Sequence, residues 1–173
     1  MATNDMLQYL EPAASGGTAT ASNRRQVETF LVRNVNGSGG AVTINAGDWV
    51  AFDMGRAGSD AALYVIPSPA AAGAGTIMGV ADETVSIPEP PLPAGTVVEK
   101  TIRVVISGYV ASANVATGVA AGVSLMASAT AGRAAQATVD ATGGATEPAP
   151  AVCGMCLSLA AGNVAEVMVV KRF

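Results

Sequence analysis

The chain has 173 residues, enough for one domain whose core removes on the order of 70% of the unfolded surface from water, so stability does not require disulfides or a metal. Charged residues are 13% of the chain, the net charge is −4, and no basic run exceeds two positions (Arg24-Arg25, Lys171-Arg172). That excludes the cationic stripe with which nucleic-acid binders displace counterions, and against an average of about 25% charge it describes a surface normally covered by copies of the chain or by a partner.

Met1 to Leu10 carries Asp5 and no basic residue, and lacks the apolar stretch of roughly 7 to 15 residues that marks an export signal. No window approaches the run of about 18 apolar residues that a membrane helix needs. The expectation is a soluble product made in the cytoplasm, with no membrane or nucleic-acid partner. Residues 11–23 are small, polar and broken by Gly16-Gly17, the composition of a flexible linker. Ahead of them Met6, Leu7, Tyr9 and Leu10 form a short apolar segment. Residues 1–23 therefore read as an arm that orders only when it lies on something, and 24–173 as the folded domain.

From Arg25 the pattern becomes period two and rich in β-branched residues, with Val27, Thr29 and Leu31 alternating against Glu28, Phe30 and Val32. Asn36-Gly37-Ser38-Gly39-Gly40 interrupts it before Ala41 to Ile44, which predicts a hairpin with a glycine-rich turn. Further β-like runs are Trp49 to Phe52, Leu63 to Ile66, Thr76 to Ala81, Thr101 to Val110, Val123 to Ala127, Ala134 to Val139, Val152 to Leu159 and Val164 to Phe173. Ala113 to Ala121 could hold a helical turn or two, but its glycine and valines disfavour one. Many short strands between turn signals predict an all-β fold, a compact barrel or sandwich of short antiparallel strands.

Overlaying the halves exposes a quasi-repeat. Gly47 precedes Gly79 by the same 32 positions that separate Gly122 from Gly154 (79 − 47 = 154 − 122). The first glycine of each pair opens a β run, the second lies inside one, and each half closes on a strong strand, 101–106 and 165–170. Two such units closing on each other would make one barrel-like core. The first half alone has a Pro-rich excursion, Ser86 to Thr96, expected to project from it.

Several motifs carry possible chemistry. There is no histidine, which removes the commonest general base and nitrogen ligand, and no carboxylate pair or lysine sits in a recognisable catalytic context, so no enzymatic activity and no cofactor are expected. Cys153-Gly-Met-Cys156 has the spacing of a redox pair or half a zinc site. It lies in a β run, however, where Cys153 would share a face with Met155, Leu157 and Leu159 while Cys156 points to the other; the expectation is two small apolar fillers, neither bridged nor bound to metal. Asp48, Asp53, Asp82 and Glu83 could together hold calcium, but they fall where strands meet turns. Pro88, Pro90, Pro91 and Pro93 make a stiff loop lacking four backbone donors, which is either a guard on a sheet edge or a pre-ordered contact arm.

From Gly47 onward the order of segments resembles the phage capsid decoration, or cement, proteins. The residues that carry the resemblance are Ala46-Gly47-Asp48-Trp49-Val50, the Gly79 to Glu83 segment, Ile102 to Val110, Ala120 to Leu125, and the closing pair Cys153 to Cys156 with Ala165 to Val170; it covers roughly 40–173. The resemblance implies a β-structured virion protein on the outer surface of an icosahedral head, clamping neighbouring major capsid subunits as a homo-oligomer, with a trimer favoured over other symmetries. Met6, Leu7, Tyr9 and Leu10 with Pro88, Pro90, Pro91 and Pro93 are then the candidate capsid contacts. The competing readings are a β-barrel ligand- or carbohydrate-binding module, disfavoured by one Trp, three Tyr and three Phe in the whole chain, and a carboxylate-dependent hydrolase.

Overall fold

The computed structural model describes residues 25–35, 37, 39–56, 60, 62–68, 77–90, 93–137 and 152–170. The expected arm at 1–23 lies outside them. The elements formed by the described residues are all strands: β1 (Gln26–Val35), β2 (Val42–Ile44), β3 (Trp49–Phe52), β4 (Val65–Pro67), β5 (Ile77–Ala81), β6 (Val85–Ile87), β7 (Val97–Asn114), β8 (Ser124–Ala127), β9 (Ala134–Gln136), β10 (Gly154–Cys156) and β11 (Val164–Val169). The all-β expectation holds, and the result is a sandwich-like stack of antiparallel sheets rather than a closed barrel. Beyond Asn114 the chain runs through a bridge and turns, with no helix at 113–121.

β7 organises the molecule. Its first part pairs with β1, through Val105↔Val27 to Val97↔Val35, and its last part pairs with β11, through Gly108↔Val169 to Asn114↔Val164. One strand thus belongs to two sheets. Where it passes from one to the other, Val104, Val105 and Ile106 are buried in succession, the pairing with β1 slips between Gln26 and Val27, and Gly108 sits at φ 106°, a backbone conformation in which a side chain would be strained. The first sheet runs β4-β3-β5-β7-β1 and the second β9-β8-β10-β11-β7. Each curls far enough for a single parallel bridge to touch its two ends, Leu31 to Tyr64 and Val115 to Ala134.

The predicted β1–β2 hairpin does not form. β2 pairs with β6 (Val42↔Ile87, Ile44↔Val85) in a separate two-stranded sheet, and β1 pairs with β7 instead. Beside a ten-residue strand whose even positions are buried from Phe30 to Asn34, β7 offers a matching ladder along that strand's whole length, whereas three-residue β2 does not. β6 also lies at the start of what the sequence suggested was a projecting excursion.

The quasi-repeat becomes a structural correspondence. The Gly47 amide donates to Ala81 O at 2.9 Å and the Gly122 amide to Cys156 O at 2.8 Å; Ala81 donates to Asp48 O at 2.8 Å and Cys156 to Val123 O at 2.9 Å; Asp82 donates to Arg103 O at 2.9 Å and Leu157 to Glu166 O at 2.8 Å. β3, β4, β5 and the first part of β7 therefore match β8, β9, β10 and β11. β1 matches the last part of β7. The repeats are consecutive along the chain, joined through a shared strand, rather than two halves closing on one barrel.

Two cores follow. Phe30, Val32, Val50, Ala81, Ile102 and Val104 form one face of the first sheet and are covered by Ile44 and Ile87 of β2 and β6; Phe30 and Phe52 meet edge-on there, their ring centroids 6.2 Å apart. The opposite face presents Trp49, Ile77, Val80 and Val105 to Leu125, Cys156, Ala165 and Val167 of the second sheet. Burial on both faces explains why β5 is buried at every position. Each large side chain so enclosed contributes about 1.5–3 kcal/mol before ordering costs.

Candidate functional site

Among the described residues the charged groups close on one another within the first repeat. Asp82 receives Arg25 at 2.9 Å and Arg103 at 3.2 Å, and Glu83 pairs with Arg103 at 3.5 Å while accepting its backbone N–H at 2.9 Å. Asp53 lies 3.6 Å from Arg33 and 3.9 Å from Arg56, whose guanidinium stacks 3.6 Å above the Tyr64 ring; the Tyr64 hydroxyl donates to Glu99 at 2.6 Å. That hydrogen bond, with burial and the Glu99 charge behind it, raises the Tyr64 pKa above its ordinary value. Asp48 serves a turn, accepting from the Asn45 amide and side chain at 2.8 and 3.2 Å and from Asn114 Nδ2 at 2.7 Å, which ties β3 to the end of β7. The acidic residues considered for calcium are thus divided among three places with separate partners, and no group of three potential ligands occurs among the described residues.

The Cys153 to Cys156 segment departs from its expected geometry. β10 begins at Gly154, so Cys153 precedes the strand, and both thiols enter the same core cluster while Met155, Leu157 and Leu159 are exposed. The strict alternation that put the cysteines on opposite faces fails because it holds only within a strand, and Cys153 lies before this one. The two are not joined in a disulfide; Cys153 Sγ donates to Leu125 O at 3.4 Å and Cys156 Sγ to Ser158 O at 3.0 Å, and burial pushes the Cys156 thiol pKa up.

Of the candidate contact residues, Met6, Leu7, Tyr9, Leu10 and Pro91 lie outside the described residues. Pro88 and Pro93 are exposed, but Pro90 is buried, so the Pro-rich segment is seated on the fold at its start rather than projecting throughout. Buried Asn34 at the end of β1 does the seating: its amide group donates to Gly40 O at 2.8 Å, Ile87 O at 3.1 Å and Pro88 O at 3.2 Å. Glu89 accepts from the Gly37 amide at 3.2 Å, and Thr96 bonds back to Pro93 O through its hydroxyl at 2.7 Å. One end of the molecule therefore presents a glycine-rich turn and a proline-rich loop locked together.

The surface that sequence reading missed is on the second sheet. Its outward face carries Met155 and Leu157, 45% and 39% exposed, beside partly buried Met126, Met168 and Tyr109. Beyond Ser107, the charged side chains among the described residues are Arg133 and Glu166. The signal was present in the uneven distribution of charge along the chain, which counts over the whole sequence conceal.

No known protein-family model matches this chain, and no curated protein matches it. Among solved structures it is similar to the head fiber gp8.5 N base in bacteriophage phi29, at 14% identity and a TM-score of 0.48, over 86% of this chain and 98% of that one. At that distance the likeness carries no argument about function.

Proposed function

We propose that the chain is a structural protein of a phage particle that binds the outer surface of an icosahedral head and stabilises it by clamping neighbouring major capsid subunits. The observation that carries the reading is where the segments resembling decoration proteins lie. Gly47, Asp48 and Trp49, Gly79 to Glu83, Ile102 to Val110 and Gly154 to Cys156 are the joints of the repeat: Gly79 lies against the Val105 carbonyl, and Gly154 against Met168 O and the Trp49 ring. The resemblance thus rests on residues that build the fold. Trp49 is fully buried, which removes the only indole from any sugar-stacking role and counts against the carbohydrate-binding alternative.

In this reading Met6, Leu7, Tyr9 and Leu10 reach a capsid subunit from the end of a linker, and the Pro88–Pro93 loop offers a second, pre-ordered contact. Several weak contacts made at once multiply affinity. The test mixes undecorated heads with the full chain and with a chain lacking residues 1–23, then measures occupancy and head survival on heating. The truncated chain is expected to fold and bind more weakly. Equal occupancy removes the arm from the mechanism, and failure of the full chain to bind any head removes the proposal.

A further inference from the structure

The repeat determines what the outward face of the second sheet corresponds to. Because Gly79 approaches the Val105 carbonyl as Gly154 approaches that of Met168, and Val50 lies opposite Gly79 as Leu125 lies opposite Gly154, the residues match in register: Trp49 with Ser124, Val80 with Met155, Val105 with Met168. In the first sheet Trp49, Val80 and Val105 form the face on which the second sheet packs. In the second sheet their counterparts face outward, with Met155 45% exposed. The stack is closed on one side only: β2 and β6 cover the first sheet on one side, the second sheet covers it on the other, and the matching outer side of the second sheet has no sheet of this chain upon it among the described residues.

We infer that this face, centred on Met155, Leu157 and Met168, is where a second copy of the chain packs. Two features point to a copy rather than a foreign partner. The face already has a working precedent for what it binds, since its counterpart in the first sheet is covered by a β-sheet of the same chain. It also offers almost no charge for another surface to complement; Glu166, its one charged residue, corresponds to Arg103, which in the first sheet lies beyond the covered patch and is exposed. A face with a single charged residue meets its own copy with little like-charge repulsion, and methionine side chains adapt to one another where strict complementarity is lacking. The inference stands on the repeat, independently of where the protein works.

The test uses the purified full chain with no capsid present, so its outcome and that of the head-binding experiment are separate. Light scattering across a concentration series should give a mass above that of one chain. Met155→Glu and Leu157→Glu, which place a charge at the centre of the face, should weaken self-association by about tenfold or more, while Met54→Glu, at an exposed position in the first repeat, should not. In the unmodified chain, peroxide should oxidise Met54, which is 65% exposed, faster than Met155 at concentrations where the oligomer forms. Should Trp49 emission show that a glutamate variant has lost its fold, the oxidation pattern of the unmodified chain decides. A single-chain mass at every concentration overturns the inference. So do glutamate variants that remain associated, Met155 oxidised as fast as Met54 in the oligomer, or Met155 protected in a monomer, which would assign the face to the chain's own residues outside those described.

Discussion

Gly79→Ala isolates the closest approach on which the repeat depends. A Cβ built at Gly79 meets the Val105 carbonyl oxygen at 2.3 Å, Val104 Cγ1 at 2.9 Å and the Val105 carbonyl carbon at 3.0 Å. Two of the three are backbone atoms of the strand to which β5 is hydrogen-bonded, and no rotamer change relieves them. Relief requires β5 and β7 to separate by close to an ångström, at a position where Val80 and Ala81 are buried on opposite faces. Overpacking of this kind costs about 1–3 kcal/mol, with the upper end favoured because the obstacle is backbone. Replacing glycine also removes about 0.4–1 kcal/mol of chain entropy from the unfolded state, leaving a net loss of about 2 kcal/mol. For a chain of this length that lowers Tm by about 4–8 °C. The assay is thermal unfolding followed by emission of buried Trp49, with Gly118→Ala as the comparison. Gly118 has open space around it but φ +79°, so its substitution costs only the conformational strain, about 1 kcal/mol. An unchanged or raised Tm for Gly79→Ala, or a fall no larger than that of Gly118→Ala, refutes the steric argument.

Two further expectations follow from the described contacts. Asn34→Leu leaves Gly40 O, Ile87 O and Pro88 O without their shared donor, which should cost about 1–3 kcal/mol and speed amide exchange in the Gly37–Gly40 turn and at Glu89; unchanged protection there would show that Asn34 does not seat the loop. Tyr64 is held neutral in the fold, its pKa raised chiefly by the hydrogen bond to Glu99, so its contribution to stability is complete below the unfolded value of about 10 and is lost as pH rises through the folded value. Tm should therefore fall less steeply above pH 10 in Tyr64→Phe than in the unmodified chain, and parallel pH profiles would contradict the assignment.

The chain's own pattern was enough to determine that it forms strands, and roughly where. Alternation of apolar and polar residues fixes which side chains share a face, and glycines at turns fix where strands end; both are local properties. Even the repeat was legible, because the close approaches at Gly79 and Gly154 tolerate no side chain and so mark equivalent positions at equal spacing. Pairing was decided only in three dimensions. A strand's period says nothing about which strand lies beside it, so the glycine-rich turn at 36–40 suggested a β1–β2 hairpin, while the greater burial available along β7 drew β1 away and left β2 to β6. The same limit hid the shared role of β7, since nothing local shows that one continuous strand changes sheets at Gly108. It also misplaced Cys153, because alternation holds only within a strand and β10 starts one residue later. Above all, only the stacking of the sheets distinguishes Val80, which is covered, from Met155, which is not. Both are apolar residues at matching positions of a repeat, and their different exposure arises because, among the described residues, the first sheet has a layer on each side and the second has one.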